Sequence, residues 1–370
     1  MFPYLLLILV AVITPWFVCK EQTDISSWDE ASSLSVRRNK MTIFLFFAGL
    51  LILLMLRDIT VGRDLIEYKK IFEKCAASSF KGLKKFSWEI GYTIYNKLIS
   101  FVSEDYRFFL IVTAIITVFP IYKLYAKETK HSFLLIVLFI NMPCFLMIFS
   151  GLRQAIAISI GILVFFALEN KKYVLSALLL LLATCFHTSA YILILIYPTY
   201  FLKIKTKHLL FVIPLMIGIY AYRISLFKII INVAPERYEE FYGEIQETGA
   251  IGMMILFLIF SIFSFVVLDE KSMTQKDYSL RNFLLISTML QFFVPIHDLV
   301  QRMSYYFLVF VPVAILSVVK APKKVMKDIS GVAIVAMSCF FVLYFFYNAA
   351  FTTDNLLDVF PYKFYWSNKL

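Results

Sequence analysis

Long apolar runs alternate with short, mostly basic breaks from one end of the chain to the other. The runs are continuous and do not alternate residue by residue, so they predict membrane-spanning helices and exclude a β-barrel. About twelve runs approach crossing length, at roughly 3–19, 41–56, 106–123, 132–149, 152–168, 173–187, 189–202, 208–223, 251–268, 283–298, 303–319 and 329–348. Two longer polar segments, about 57–105 and 224–250, separate some of them. The stretch 173–202 admits one long helix or two short spans. A single helix of roughly 30 residues would reach about 45 Å, longer than the hydrocarbon core. A hinge at His187-Thr188-Ser189 keeps the lysines at both ends on one side, so two spans are expected.

Composition agrees. Of 370 residues, 61% are hydrophobic and only 16% charged, where a soluble domain is nearer a quarter charged. The expected fold class is an all-α polytopic membrane protein, a bundle of about twelve transmembrane helices with outer-face loops, forming one integral membrane domain over 1–370. The net charge of +11 is no nucleic-acid signal, because the cations gather in the short breaks. Arg37, Arg38 and Lys40, then Lys123, Lys127 and Lys130, then Lys171 and Lys172 form the first three groups. Lys203, Lys205 and Lys207, then Lys271, Lys276 and Arg281, then Lys320, Lys323, Lys324 and Lys327 complete the set. All six groups share one face if odd-numbered spans run inward, and the positive-inside rule makes that face cytoplasmic. Both termini and both long loops then lie outside. The first run has no basic lead and no small-x-small site, so a retained helix is expected. The five cysteines form no C-x-x-C pair and predict neither a zinc site nor a disulfide framework.

The polar groups that cost most to keep near a membrane all fall on the outer side. Arg153, in Gly151-Leu152-Arg153-Gln154, presents a planar fork suited to phosphate oxygens at a helix start that favours anions. Equally, it can snorkel to the headgroups. Gly151 is expected to permit a sharp re-entry turn. Arg302 follows His297 and Asp298 at another outward helix start, where it can grip an anion or sit in an ion-paired knot. His187 suits proton handling or a buried hydrogen bond. Arg63 and Asp64 read as a local salt bridge, or Asp64 as a sugar ligand. Glu89 is the most isolated carboxylate of its loop, a candidate base or a plain surface group. The 224–250 loop, with Pro235-Glu236-Arg237-Tyr238-Glu239-Glu240 and Tyr242, offers aromatic rings for stacking on sugars or for an interfacial belt. There is no Walker loop, no G-x-G-x-x-G opening a helix, no H-E-x-x-H, no G-x-S-x-G and no Asp-x-Asp, so no nucleotide, cofactor or metal is implied.

Ordered blocks carry a resemblance. Val61-Gly62-Arg63-Asp64 with Tyr68, Trp88-Glu89-Ile90-Gly91-Tyr92, Ser150 to Ala157, and Cys185-Phe186-His187-Thr188-Ser189-Ala190 resemble the EpsG family of Wzy-like polysaccharide polymerases. Gln301-Arg302-Met303-Ser304-Tyr305-Tyr306-Phe307 and the Pro361-Tyr362 tail resemble it too. Each block is short, and their order is the stronger signal. The first block departs from the family in having Leu65-Ile66-Glu67 before Tyr68. The resemblance implies a GT-C-like helical bundle that acts as a metal-independent glycosyltransferase at the outer face of the bacterial cytoplasmic membrane. It would transfer the growing glycan from an undecaprenyl-pyrophosphate-linked donor to an acceptor repeat unit, making O-antigen, capsule or exopolysaccharide. It implies membrane lipid and a separate chain-length regulator as partners, and no nucleic acid. For that chemistry the substrate-binding candidates are Arg63, Asp64, Arg153, Gln154, Arg302 and Tyr305. The catalytic candidates are His187, His297, Glu89 and Arg153. A lipid-linked oligosaccharide flippase, an O-antigen ligase-like enzyme and an outer-face acyltransferase are the alternatives. A flippase is disfavoured by polar groups gathered on one side.

Overall fold

The computed structural model describes residues 2–18, 28–128, 130–233, 251–320, 327–351 and 357–367, and every named element among them is helical. The aromatic stretch Pro235 to Tyr242 and the loop cations Lys323 and Lys324 lie outside the described residues. The chain's contacts divide it into two compact units, Met1–Leu193 with Ile334–Leu370, and Ile194–Ala333.

The first unit opens with α1 (Phe2–Val18) and α2 (Trp28–Leu56), packed on each other. Two short helices follow where the sequence predicts an outer loop, α3 (Leu65–Ala77) and α4 (Ile90–Val102), with a 3-10 turn at Gly82–Lys85 between them. Next come α5 (Tyr106–Ala126), α6 (Ser132–Ile140), α7 (Pro143–Ser150), α8 (Leu152–Glu169) and α9 (Tyr173–Phe186). The Asp105 carboxylate caps α5 by accepting from the Arg107 N–H at 2.8 Å, which satisfies a donor with no partner inside the helix. Apolar almost all round, α8 packs between α5 and α9 and is the most buried of the long helices. The Ser159 hydroxyl ties it to the Thr117 carbonyl at 2.7 Å. His187 is extended and ends α9, after which a 3-10 stretch, Thr188–Leu195, resumes the path. The chain thus breaks at the expected hinge.

The second unit holds α10 (Ile196–Phe201), α11 (Leu209–Ala221), α12 (Arg223–Val233), α13 (Ile251–Val267), α14 (Gln275–Gln291), α15 (Asp298–Leu308) and α16 (Val311–Lys320). A reciprocal cap between Thr274 and Asp277 starts α14, well before the expected 283. That helix carries its polar residues inward. Arg281, expected as a loop cation, is wholly buried and pairs with Glu270 at 3.2 Å, while its other arm meets the Ile204 carbonyl. Asn282 donates to the carbonyls of Thr199 and Leu202 at 2.9 and 2.7 Å. Arg281 is therefore an internal brace, and the charge rule does not apply to it. The last helix, α17 (Lys327–Phe351), leads back to the first unit.

Among the described residues four helices are long and apolar enough to cross a membrane: Leu34–Leu56, Tyr106–Ala126, Leu152–Glu169 and Val332–Phe351. Three bent pairs raise this to seven if each is one span. The expected span 132–149 is such a pair, bent by 63° between Ile140 and Pro143, and 303–319 is another, bent by 51°. Phe2–Thr14, Tyr173–Phe186, Thr188–Phe201 and Ile251–Val267 are apolar but shorter.

Beyond α17, residues 357–367 return to the end of α2. Asp58 N–H donates to the Lys363 carbonyl at 2.9 Å, Tyr365 N–H to Leu56 at 3.0 Å, and Gly62 N–H to Asp358 at 3.0 Å. Arg57 is buried and donates to the Phe149 carbonyl at 2.7 Å. Arg107 donates to the carbonyls of Met55 and Arg57 at 2.8 and 2.7 Å and lies over the Tyr365 ring. Two guanidiniums and the tail thereby clamp the 57–64 turn.

A candidate anion site around Arg153

Three segments far apart in sequence meet at the start of α8. Arg153 donates through Nη1 to Glu89 Oε2 at 2.6 Å, and the side chains are only 26% and 11% exposed. The other carboxylate oxygen, Oε1, accepts from the Thr188 N–H at 3.1 Å and the Thr188 hydroxyl at 3.0 Å. Glu89 is thus neither isolated nor a surface group, as the sequence suggested. Its neighbours in the chain, Trp88 and Ile90, gave no sign that Arg153 and Thr188 come from elsewhere to meet it. Burial alone would raise the Glu89 pKa. The Arg153 charge and the Thr188 N–H more than reverse this, holding it at about 2.

Tyr68 from α3 completes the cradle. Its hydroxyl is hydrogen-bonded to Arg153, and its ring centroid is 5.9 Å from the guanidinium carbon. Burial pushes the Tyr68 phenol up, so it remains neutral. The Tyr92 ring lies beside it, 5.7 Å from the Tyr68 ring and 6.0 Å from the guanidinium carbon. Among the described residues the Tyr92 hydroxyl and Arg153 Nε are buried and meet no hydrogen-bond partner. Such orphans are uncommon in folded proteins and mark places where a water or ligand oxygen belongs. Sequence reasoning noted both tyrosines within its blocks yet assigned them no role.

His187 sits beside Thr188. Its Nδ1 accepts from the Ser189 backbone N–H at 3.2 Å and lies 3.0 Å from the Ser189 hydroxyl. A backbone N–H can only donate, so Nδ1 is unprotonated and the neutral ring carries its proton on Nε2. The imidazole therefore presents a donor.

Packing explains the glycines of these blocks. A Cβ on Gly91 would meet the Cys185 carbonyl oxygen at 2.7 Å, so α4 can lie against the end of α9 only with glycine there. Gly62 has φ +117° and sits on the Phe149 carbonyl, which doubly requires glycine. Gly151 has an ordinary φ of −88°. The turn before Arg153 needs no special backbone freedom, and the Met147 side chain crowds this glycine instead.

The remaining candidates are placed as follows. Arg63 is half exposed and pairs with Asp358 of the tail at 3.4 Å. Asp64 precedes α3, and its N–H donates to the Ser150 hydroxyl at 3.3 Å, next to the Gly151–Arg153 turn. Gln154 is buried on α8. In the second unit His297 stacks on Phe227 at 5.8 Å, Tyr305 is buried, and Arg302 is exposed on α15. The first unit thus unites Glu89, Arg153 and His187, with Asp64 one residue-contact away.

Apolar helices around a polar, partly open cradle define a membrane protein with a polar site at one end of its first unit. Residues 40–364, most of the chain, match the EpsG family. The chain belongs to this family of Wzy-like polysaccharide polymerases. No curated protein and no solved structure matches it.

Proposed function

We propose that this protein is a polymerase that joins polyprenyl-pyrophosphate-linked oligosaccharide repeat units at the outer face of the bacterial cytoplasmic membrane. The observation that carries this is the Arg153 fork, fixed by Glu89 and Tyr68 yet still partly exposed. The leaving group is a pyrophosphate. Its oxygen takes the bonding pair as the anomeric carbon–oxygen bond breaks, while the acceptor hydroxyl oxygen bonds to that carbon and loses its proton to solvent. Arg153 stabilises the departing charge, a task that needs no divalent metal when a rigid cation is already in place. Nε2–H of His187 donates to a phosphate or sugar oxygen. Both oxygens of Glu89 are occupied and its pKa is low, so it positions Arg153 and does not act as base. The short apolar helices supply further crossings toward the twelve of a GT-C-like bundle, and the basic breaks face the cytoplasm.

Two measurements test this. Arg153→Ala is expected to insert normally and to convert a ladder of glycan lengths into single repeat units; an unchanged ladder would remove Arg153 from the chemistry. The purified wild-type protein should lengthen a synthetic polyprenyl-pyrophosphate repeat with chelator present and no nucleotide sugar. Transfer of that lipid across vesicles without lengthening would show a flippase instead.

A further inference from the structure

The polarity of α4 is inverted. Its buried face carries Tyr92, Thr93, Asn96 and Ser100, and the last three donate to carbonyls of their own helix. The outward face carries Ile90, Ile94, Leu98, Phe101 and Val102, with Leu98, Phe101 and Val102 more than half exposed. At spacings of three and four these make one stripe along a helix about 20 Å long. A helix facing water has the opposite arrangement. The only charge on α4 is Lys97, which donates to the Ala76 carbonyl at 2.7 Å and lies over the Phe101 ring. Beside the stripe, Phe80 is exposed and meets Phe101 at 5.7 Å. The 3-10 turn that packs on α4 lifts Lys81, Lys84 and Lys85 into the open. Glu104 and Asp105 lie beyond the far end of α4, and α3 nearby pairs Lys70 with Glu67 and Lys69 with Glu73.

We infer that α4 and its preceding turn form an interfacial anchor, seated in the anionic phospholipid surface, that fixes the depth of the Glu89–Arg153 pair. An apolar stripe edged by lysines matches the boundary between acyl chains and anionic headgroups. Continuity supports it, because α4 packs on α9, whose exposed Leu178, Leu181 and Leu182 are also apolar. A second copy fits less well, since an isologous contact would bring the same lysines together. The stripe begins at Ile90, the residue after Glu89. Seating α4 therefore sets the cradle at headgroup level, where a lipid-linked pyrophosphate lies. The anchor depends only on the chain being a membrane protein; the site's ligand rests on the proposed function.

The test uses the full chain in phosphatidylcholine vesicles with or without phosphatidylglycerol. Leu98→Cys carries an environment-sensitive fluorophore, Ile94→Cys serves as a second variant, and Lys172→Cys, exposed in the turn after α8, is the aqueous control. Signal from the equally labelled parent chain is subtracted. Acyl-brominated lipid should quench positions 94 and 98 at least about twofold more than 172, and iodide should do the reverse. Phosphatidylglycerol should deepen position 98, an effect lost in Lys81→Gln/Lys84→Gln/Lys85→Gln. Iodide access at 98 equal to that at 172 overturns the anchor, as does shielding from both quenchers, which signals a protein partner. No response to phosphatidylglycerol overturns the anionic component. None of these readouts uses polymerase activity, so failure here is separable from failure of the proposed function.

Discussion

Between Glu89 and Arg153 the low-dielectric setting matters more than the distance. A pair this shielded is worth keeping only if the remaining valences are met, and Thr188 meets them on the Glu89 side. Glu89→Gln keeps the shape and can still accept from Thr188, but it withdraws the counter-charge. It is expected to slow lengthening by roughly ten- to a hundredfold, the cost of losing a charge-assisted hydrogen bond of about 1.5–3 kcal/mol. The pH dependence has a definite sign. A carboxylate held at about 2 lies below the roughly 4.3 of a free Glu. Its contribution to stability is fully present above that unfolded value and is lost as pH falls through about 2. Rate profiles of the purified wild type and Glu89→Gln should therefore be parallel from pH 5 to 8. An acid limb in that window that disappears in Glu89→Gln would show Glu89 titrating as a base. Arg153 and His187 were legible from sequence because Arg and His are costly in greasy surroundings. Tyr68 and Tyr92 were not, because tyrosine is ordinary at a membrane interface and only proximity gives these two a role.

Among the elements, those that bring Glu89, Tyr68 and His187 to α8 are short, and each is set by a local device. An extended residue ends α9 at His187, and Gly91 lets α4 close on it. Gly91→Ala is expected to destabilise the protein by about 1–3 kcal/mol, because the new methyl must push against backbone atoms of Cys185 that cannot swing aside. Thermal unfolding in detergent should show a lowered midpoint for this variant. Gly218→Ala, with open space around its Cβ, should leave the midpoint unchanged or slightly raised. Equal midpoints for Gly91→Ala and the parent would mean that α4 and α9 do not meet so closely. The hinge at 187–189 was legible because a single helix would have been too long for the bilayer. The helical content of 57–105 was not: its segments are half polar, and the hydropathy that marks spans cannot distinguish an interfacial helix from a loop. Only the structure shows that the polar face of α4 turns inward.

At the scale of the molecule, the first unit has two chemically distinct ends. One gathers Arg57, Arg63, Asp64, Glu89 and Arg153, with the tail at Asp358 and Lys363 hydrogen-bonded to the 57–63 turn. At the other end Lys127 meets Glu169 at 2.5 Å, and Asn39 accepts from the Ser132 N–H at 2.9 Å. These are the breaks that carry Arg37, Arg38, Lys40, Lys123, Lys171 and Lys172. The 18 residues of α8 separate the ends by about 27 Å, close to the hydrocarbon thickness of about 30 Å. Within the first unit the three basic breaks read from sequence thus lie at one end. Bent pairs and the polar interior of α14 escaped that reading, since a kink leaves hydropathy unchanged and a buried Arg281 looks like a loop cation. The two ends make topology testable with one pair of substitutions. In intact cells stripped only of their outer barrier, a membrane-impermeant thiol reagent should label Lys363→Cys above the level of the parent chain. Lys172→Cys should react only after the membrane is opened. Because the tail is bonded to the turn that holds Arg63, labelling at 363 reports the side on which Arg153 works. Reversed labelling would put the cradle in the cytoplasm, where lipid-linked repeats could not be joined at the outer face.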